Sequence, residues 1–168
     1  MESAATLLGL AQHLPEHEVA ALPPGTPRPK ALSGWRIVAI DLVDEGRTVH
    51  DGLPCWNING LLAGIAIRPS GYQDLPGLAQ WLPDIGGRLD TETLAACLAD
   101  ASRSAWQRAV YLARMAGAAQ VADRLLAVRP PQTAVWFGAT RTGSTRYDSV
   151  AKVSDADLAP YLDGGVGA

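Results

Sequence analysis

The chain has 168 residues, 48% hydrophobic and 18% charged, with a formal net charge of −3. That length and apolar fraction suit one packed unit and exclude wholesale disorder. The acidic balance excludes the strongly basic footprint of a dedicated nucleic-acid binder. Of the 14 basic residues only Lys30 and Lys152 are lysines. Neither the N-terminal MESAATLLGL nor the apolar run 60–67 is long enough to cross a bilayer or typical of a secretory signal. Cys55 and Cys97 lack metal-type spacing and read as free thiols in a reducing compartment, which implies a soluble, cytoplasmic protein.

Residues 4–14 read as a short helix stopped by Pro15. Residues 18–22 form a candidate strand, 23–29 (PPGTPRP) a proline-rich loop, and 35–43 (WRIVAIDLV) a β-branched strand. Asp44-Glu45-Gly46 is a turn before a returning strand at 47–50, a spacing that suggests an antiparallel pairing. Asn57 or Asn59 can cap a helix through Ile67, Asp74 a helix over 75–82, and Asp90 a helix over 91–101. Further helices are expected from Arg103 and over 119–128. Strands follow at 133–137 and 146–153, separated by the loop ATRTGST. Ser154 and Asp157 fit a capping box for a last helix over 155–162. The expected class is α+β: a small antiparallel or mixed sheet from N- and C-terminal strands, packed on a central bundle of four to five helices. One unit over 1–163 is expected, with 164–168 as a frayed tail.

The segment RSAWQRAVYLARMAG divides into two faces at about 100° per residue. Ala105, Trp106, Ala109, Val110, Leu112, Ala113 and Ala116 form an apolar side. Arg103, Gln107, Arg108, Tyr111, Arg114 and Met115 form the other, read here as a solvent-facing contact surface for an acidic partner. Arg141-Thr-Gly-Ser-Thr-Arg146 adds a second cationic patch on a hairpin tip. The five tryptophans, Trp35, Trp56, Trp81, Trp106 and Trp136, read as core anchors.

Catalytic patterns are weak. His13-Leu-Pro-Glu16-His17 spells the inverted zinc-protease motif, but Pro15 interrupts the helix that would bring both imidazoles to one ion. His50-Asp51 could join Ser33, Ser70 or Cys55 only on paper, since no nucleophile elbow is present. Asp41, Asp44 and Glu45 sit at a turn, where solvated acids are the default. No phosphate loop or dinucleotide fingerprint appears. The reading is therefore a non-enzyme with no catalytic residue, no metal and no cofactor.

Several strings together resemble the C-terminal domain of AbiEi-type antitoxins. They are SAATLLGL, Gly52-Leu53-Pro54, LLAGIAIRPSGYQDLPGLAQWL, RSAWQRAVYLARMAG, WFG at 136–138 and DADLAPYL. The resemblance implies the antitoxin of a type IV toxin–antitoxin system, countering a nucleotidyltransferase toxin encoded in the same operon. The alternative is a transcriptional regulator or nucleic-acid-binding module acting on its own promoter. Such antitoxins usually begin with a winged helix-turn-helix. This sequence starts near where that module would end, so promoter binding by the chain itself is not expected.

Overall fold

The computed structural model describes residues 1–143 and 145–162. The expected tail, 164–168, lies outside them. The class is α+β, with helices through the middle and small sheets from strands toward both ends.

Helix α1 (Glu2–Leu7) is shorter than the reading of 4–14. The chain leaves the helix at Leu8 and turns through Gly9, whose φ of +69° suits a residue without a Cβ. Strands β1 (Val19–Leu22) and β2 (Arg36–Ala39) pair in parallel across the proline-rich loop, and the returning strand 47–50 pairs with 53–56 and not with 35–43 as the spacing suggested. The long connection between β1 and β2 permits the parallel register. β2 covers only part of 35–43. Ile40 and Leu42 are nevertheless buried, so that apolar run is core material beyond the strand's end.

Strands β3 (Arg47–His50) and β4 (Leu53–Trp56) form an antiparallel hairpin. Asp51 (φ +50°) and Gly52 (φ +78°) both take the left-handed backbone that a two-residue turn of this hand requires. Trp56 returns from the hairpin into the core, where Gly64 leaves room for its ring.

Asn57 caps α2 (Ile58–Ile67), its side chain accepting from Gly60 N at 2.9 Å. Gly60 lies flat against Gly46; a Cβ there would stand 2.0 Å from the Gly46 carbonyl oxygen. Asp74 caps α3 (Leu75–Trp81) and Asp90 caps α4 (Thr91–Cys97). Both caps match the expectation, but α4 ends four residues before 101. Helix α5 (Arg103–Met115) packs on α2 and on α6 (Ala119–Val128), with α4 against both α2 and α6. Nearly all of α2 is buried.

Strands β5 (Val135–Phe137), β6 (Arg146–Asp148) and β7 (Val153–Asp155) form a mixed sheet ordered β5-β7-β6. Among the described residues the strands make three separate small sheets, so N- and C-terminal strands do not join in one. The expected strand 146–153 is broken by a turn at 149–152, with Lys152 at φ +53°. Helix α7 (Ala159–Leu162) follows. Ser154 lies within β7, so it does not cap that helix. Asp155 makes the turn instead, accepting from Asp157 N (2.9 Å) and Leu158 N (2.8 Å).

Candidate functional site

Helix α5 forms where the sequence places it. Ser102 Oγ accepts from Ala105 N at the start, and Gly117 (φ +74°) ends the helix. Its apolar side is buried as expected, with Trp106 donating Nε1–H to Leu98 O at 2.7 Å.

The opposite side differs from the solvent-facing surface read from the sequence. Tyr111 is fully buried and Gln107 only 2% exposed. The C-terminal sheet lies over this face, and the polar groups are used inside the molecule. Gln107 Nε2 donates to Thr133 O (2.8 Å) and Ala151 O (3.1 Å). Arg108 donates from Nε to Trp136 O (2.8 Å) and from a terminal nitrogen to Ala66 O (2.9 Å). Tyr111 OH donates to Asp155 Oδ2 at 2.7 Å, with its ring 5.9 Å from that of Phe137. Arg114 Nε donates to Asp148 Oδ2 at 2.8 Å. Arg103, exposed at the first turn, donates to Pro130 O at 3.0 Å. Met115 is half-buried at the last turn.

The middle of a polar stripe spaced by three and four residues can thus be covered when each donor meets an acceptor. Apart from Ala66 O, the acceptors come from 130–155, far along the chain from α5, which is why helical periodicity misassigned the face. Two aspartates supply the matching half by one repeated device. Asp148 Oδ1 accepts from Val150 N and Ala151 N, leaving Oδ2 for Arg114. Asp155 Oδ1 accepts from Asp157 N and Leu158 N, leaving Oδ2 for Tyr111. Each aspartate closes its own turn with one oxygen and anchors the turn to α5 with the other. The sequence reasoning passed over both, although an aspartate at a strand end before small residues is an Asx-turn signal.

The two carboxyls respond oppositely. Burial would raise Asp148, but the Ala151 amide, the Arg114 guanidinium and the Val150 amide outweigh it and hold the carboxyl below its usual range. At Asp155 burial prevails over the Tyr111 hydroxyl and the backbone amides, and the carboxyl is raised. Burial beside Asp155 also pushes the Tyr111 phenol well up, so it stays a donor.

Arg141 and Arg146 are exposed. Arg141 stacks over Trp136, 5.1 Å from the ring centroid, and donates to Gly138 O (2.9 Å) and Thr140 O (3.1 Å). Arg146 opens β6 opposite Asp155. The middle of the expected anion loop, Ser144, lies outside the described residues. The nearby Asp157 Oδ2 accepts from the Ala139 and Thr140 amides.

The weak catalytic patterns do not assemble. His13 and His17 are exposed in the irregular stretch after α1, and among the described residues no group of His, Cys, Asp or Glu gathers to hold a metal ion. His50 faces Asp51 at 3.5 Å on the exposed hairpin tip. Asp41 and Asp44 pair with Arg47, at 3.2 and 3.3 Å. A cleft of about 260 Å³ between the segment after β2 and α4 is lined mainly by apolar side chains, among them Ile40, Val43, Ile67 and Cys97. No helix is long and apolar enough to cross a membrane.

Comparison with known proteins fits this arrangement. Residues 1–115, ending on the last residue of α5, match the family model described as AbiEi antitoxin C-terminal domain. The fold is similar to the crystal structure of RV2827C protein from Mycobacterium tuberculosis, with a TM-score of 0.84 and 26% identity. That likeness covers 96% of this chain and 63% of the mycobacterial one, so the chain spans less than two thirds of that protein's length. No curated protein matches the sequence significantly. A match through the whole of α2 to α5, on the elements that build the core, means that this chain belongs to the AbiEi antitoxin C-terminal-domain family.

Proposed function

We propose that the chain is the non-enzymatic antitoxin of a type IV toxin–antitoxin pair, acting in the cytoplasm against a nucleotidyltransferase toxin from the same operon. The family match over residues 1–115 carries this reading. The free thiols of Cys55 and Cys97 suit a reducing compartment. Of the residues expected to meet the partner, Arg103, Arg141 and Arg146 reach the surface. These three are proposed as direct contacts. Gln107, Arg108, Tyr111 and Arg114 serve by holding the C-terminal sheet and the loop that carry Arg141 and Arg146, while Arg103 stands on α5 itself.

Co-expression with the nucleotidyltransferase of the neighbouring reading frame tests the reading. Growth arrest by the toxin alone, relieved by this chain, is the expected result. A chain that leaves the arrest untouched, yet retards its own promoter DNA with steep salt dependence, would replace this reading with a transcriptional regulator.

A further inference from the structure

The β3–β4 hairpin has one edge that the rest of the described chain leaves open. Hydrogen bonding alternates along an antiparallel pair, and two residues fix its phase here. Asn57 N donates to Gly46 O at 2.9 Å, so Gly46 and Asn57 are a bonded pair. Pro54, opposite Val49, has no N–H to exchange, so those two are a non-bonded pair. Either observation aims the N–H and C=O groups of Thr48 and His50 at β4 and turns those of Val49 outward. Among the described residues no hydrogen bond from outside the ladder reaches either Val49 group.

The outer edge of β4 is different. By the same alternation Pro54 faces outward there with no donor, and α1 and α2 pack near that strand. β3 has no such protection: all four of its residues are exposed, with no proline or lysine among them. Arg47, the charge that could guard the edge, is folded back onto Leu42 O (2.6 Å), Asp41 (3.2 Å) and Asp44 (3.3 Å). Val49 and Leu53 stand exposed on opposite faces of the hairpin, where side chains of an added strand would meet them.

Outward backbone groups on a strand edge select an extended chain as occupant, and charge selects its kind. Asp44 and Asp51 flank β3 at its two ends, their side chains 95% and 86% exposed. Asp41 and Glu45 are exposed on the approach to the strand. Against these four carboxylates stand the Arg47 guanidinium, already shared between Asp41 and Asp44, and the His50 ring facing Asp51. We propose that the open edge of β3 takes up an extended, basic segment of a protein partner as a third strand, anchored on the Val49 N–H and C=O. A second copy of this chain would set like acids against each other, which disfavours self-pairing. The inference goes beyond the antitoxin reading and does not depend on it.

Backbone-amide nuclear magnetic resonance of the full chain tests this with two capped peptides of equal length, one alternating lysine and valine, the other glutamate and valine. The lysine peptide should shift the Val49 amide, slow its exchange with solvent and bind tighter than the glutamate peptide by roughly tenfold or more. Val49→Pro removes the outward donor at a position the ladder does not use, and should weaken the lysine peptide by roughly tenfold or more. Asp44→Asn with Asp51→Asn keeps the backbone and should weaken it severalfold, with a shallower salt dependence. A glutamate peptide that binds as tightly at Val49 would overturn the choice of a basic occupant. A Val49 amide that moves with protein concentration alone, together with a dimer in sedimentation, would make the occupant a second copy and overturn it as well. An unmoved Val49 amide, or unchanged binding by both variants, would overturn the edge itself. Should Val49→Pro unfold the hairpin, the Asp44→Asn and Asp51→Asn pair decides alone, and unchanged affinity there counts against the proposal.

Discussion

Helix α5 and the β3–β4 hairpin treat their side chains in opposite ways. On α5, Gln107 and Tyr111 are buried and three arginines spend hydrogen bonds inside or along the body of the molecule. On the hairpin, Val49 is 69% and Leu53 57% exposed, and every residue of β3 faces solvent. Residue type alone would reverse the two. The difference lies in what the rest of the chain brings. Segment 130–155 arrives over α5 with an acceptor for each donor, whereas nothing among the described residues lies over the hairpin tip. Burial of a polar group is tolerated where its hydrogen bonds are met, and exposure of an isolated apolar side chain costs little.

The comparison breaks most visibly at the buried side of α5. Trp106→Ala should cost about 3–5 kcal/mol in chemical denaturation, the range for truncating a large buried aromatic. A melt identical to wild type would mean the helix is rotated. Gly60→Ala should cost about 1–3 kcal/mol by forcing α2 away from Gly46, read as a lowered midpoint with an unchanged denaturant slope. Tyr111→Phe keeps the ring and strands Asp155 Oδ2, for an expected loss of about 1–3 kcal/mol. Leu53→Asp, on the hairpin, should stay within about 0.5 kcal/mol.

Titration sharpens the contrast within the seam itself. Asp148 has a lowered carboxyl, so its contribution is present above the unfolded value of 3.8 and lost as pH falls through its folded value. Asp155 has a raised carboxyl, so its contribution is present below 3.8 and lost as pH rises through its folded value. Urea midpoints across the acid range should therefore show the gap between wild type and Asp148→Asn closing as pH falls. For Asp155→Asn, lowering the pH should shift the balance in favour of wild type.

Local signals in the sequence were sufficient for α2, α3, α6 and the start of α4, but not for the limits of α1 and α7. Asn57, Asp74 and Asp90 each cap the helix they precede, and α6 has the limits its periodicity implies. Pairing was less legible. Nothing local distinguishes the parallel β1–β2 register from an antiparallel one, and the turn at 149–152 interrupts a run that reads as a single strand. The arginine face of α5 is recognisable as a stripe, but its fate depends on Asp148 and Asp155, 34 and 44 residues from their partners. Trp136 reads as a core anchor in the sequence; only the β5–β7–β6 register shows that its row is the outer one.

The claim underlying both regions is that α5's polar face holds the C-terminal sheet in place. A double-mutant cycle on Arg114→Ala and Asp148→Asn tests it most directly. The 2.8 Å bond between them predicts a coupling of about 0.5–3 kcal/mol. Strictly additive losses would mean that Arg114 lies in solvent and that the sheet is held by something else.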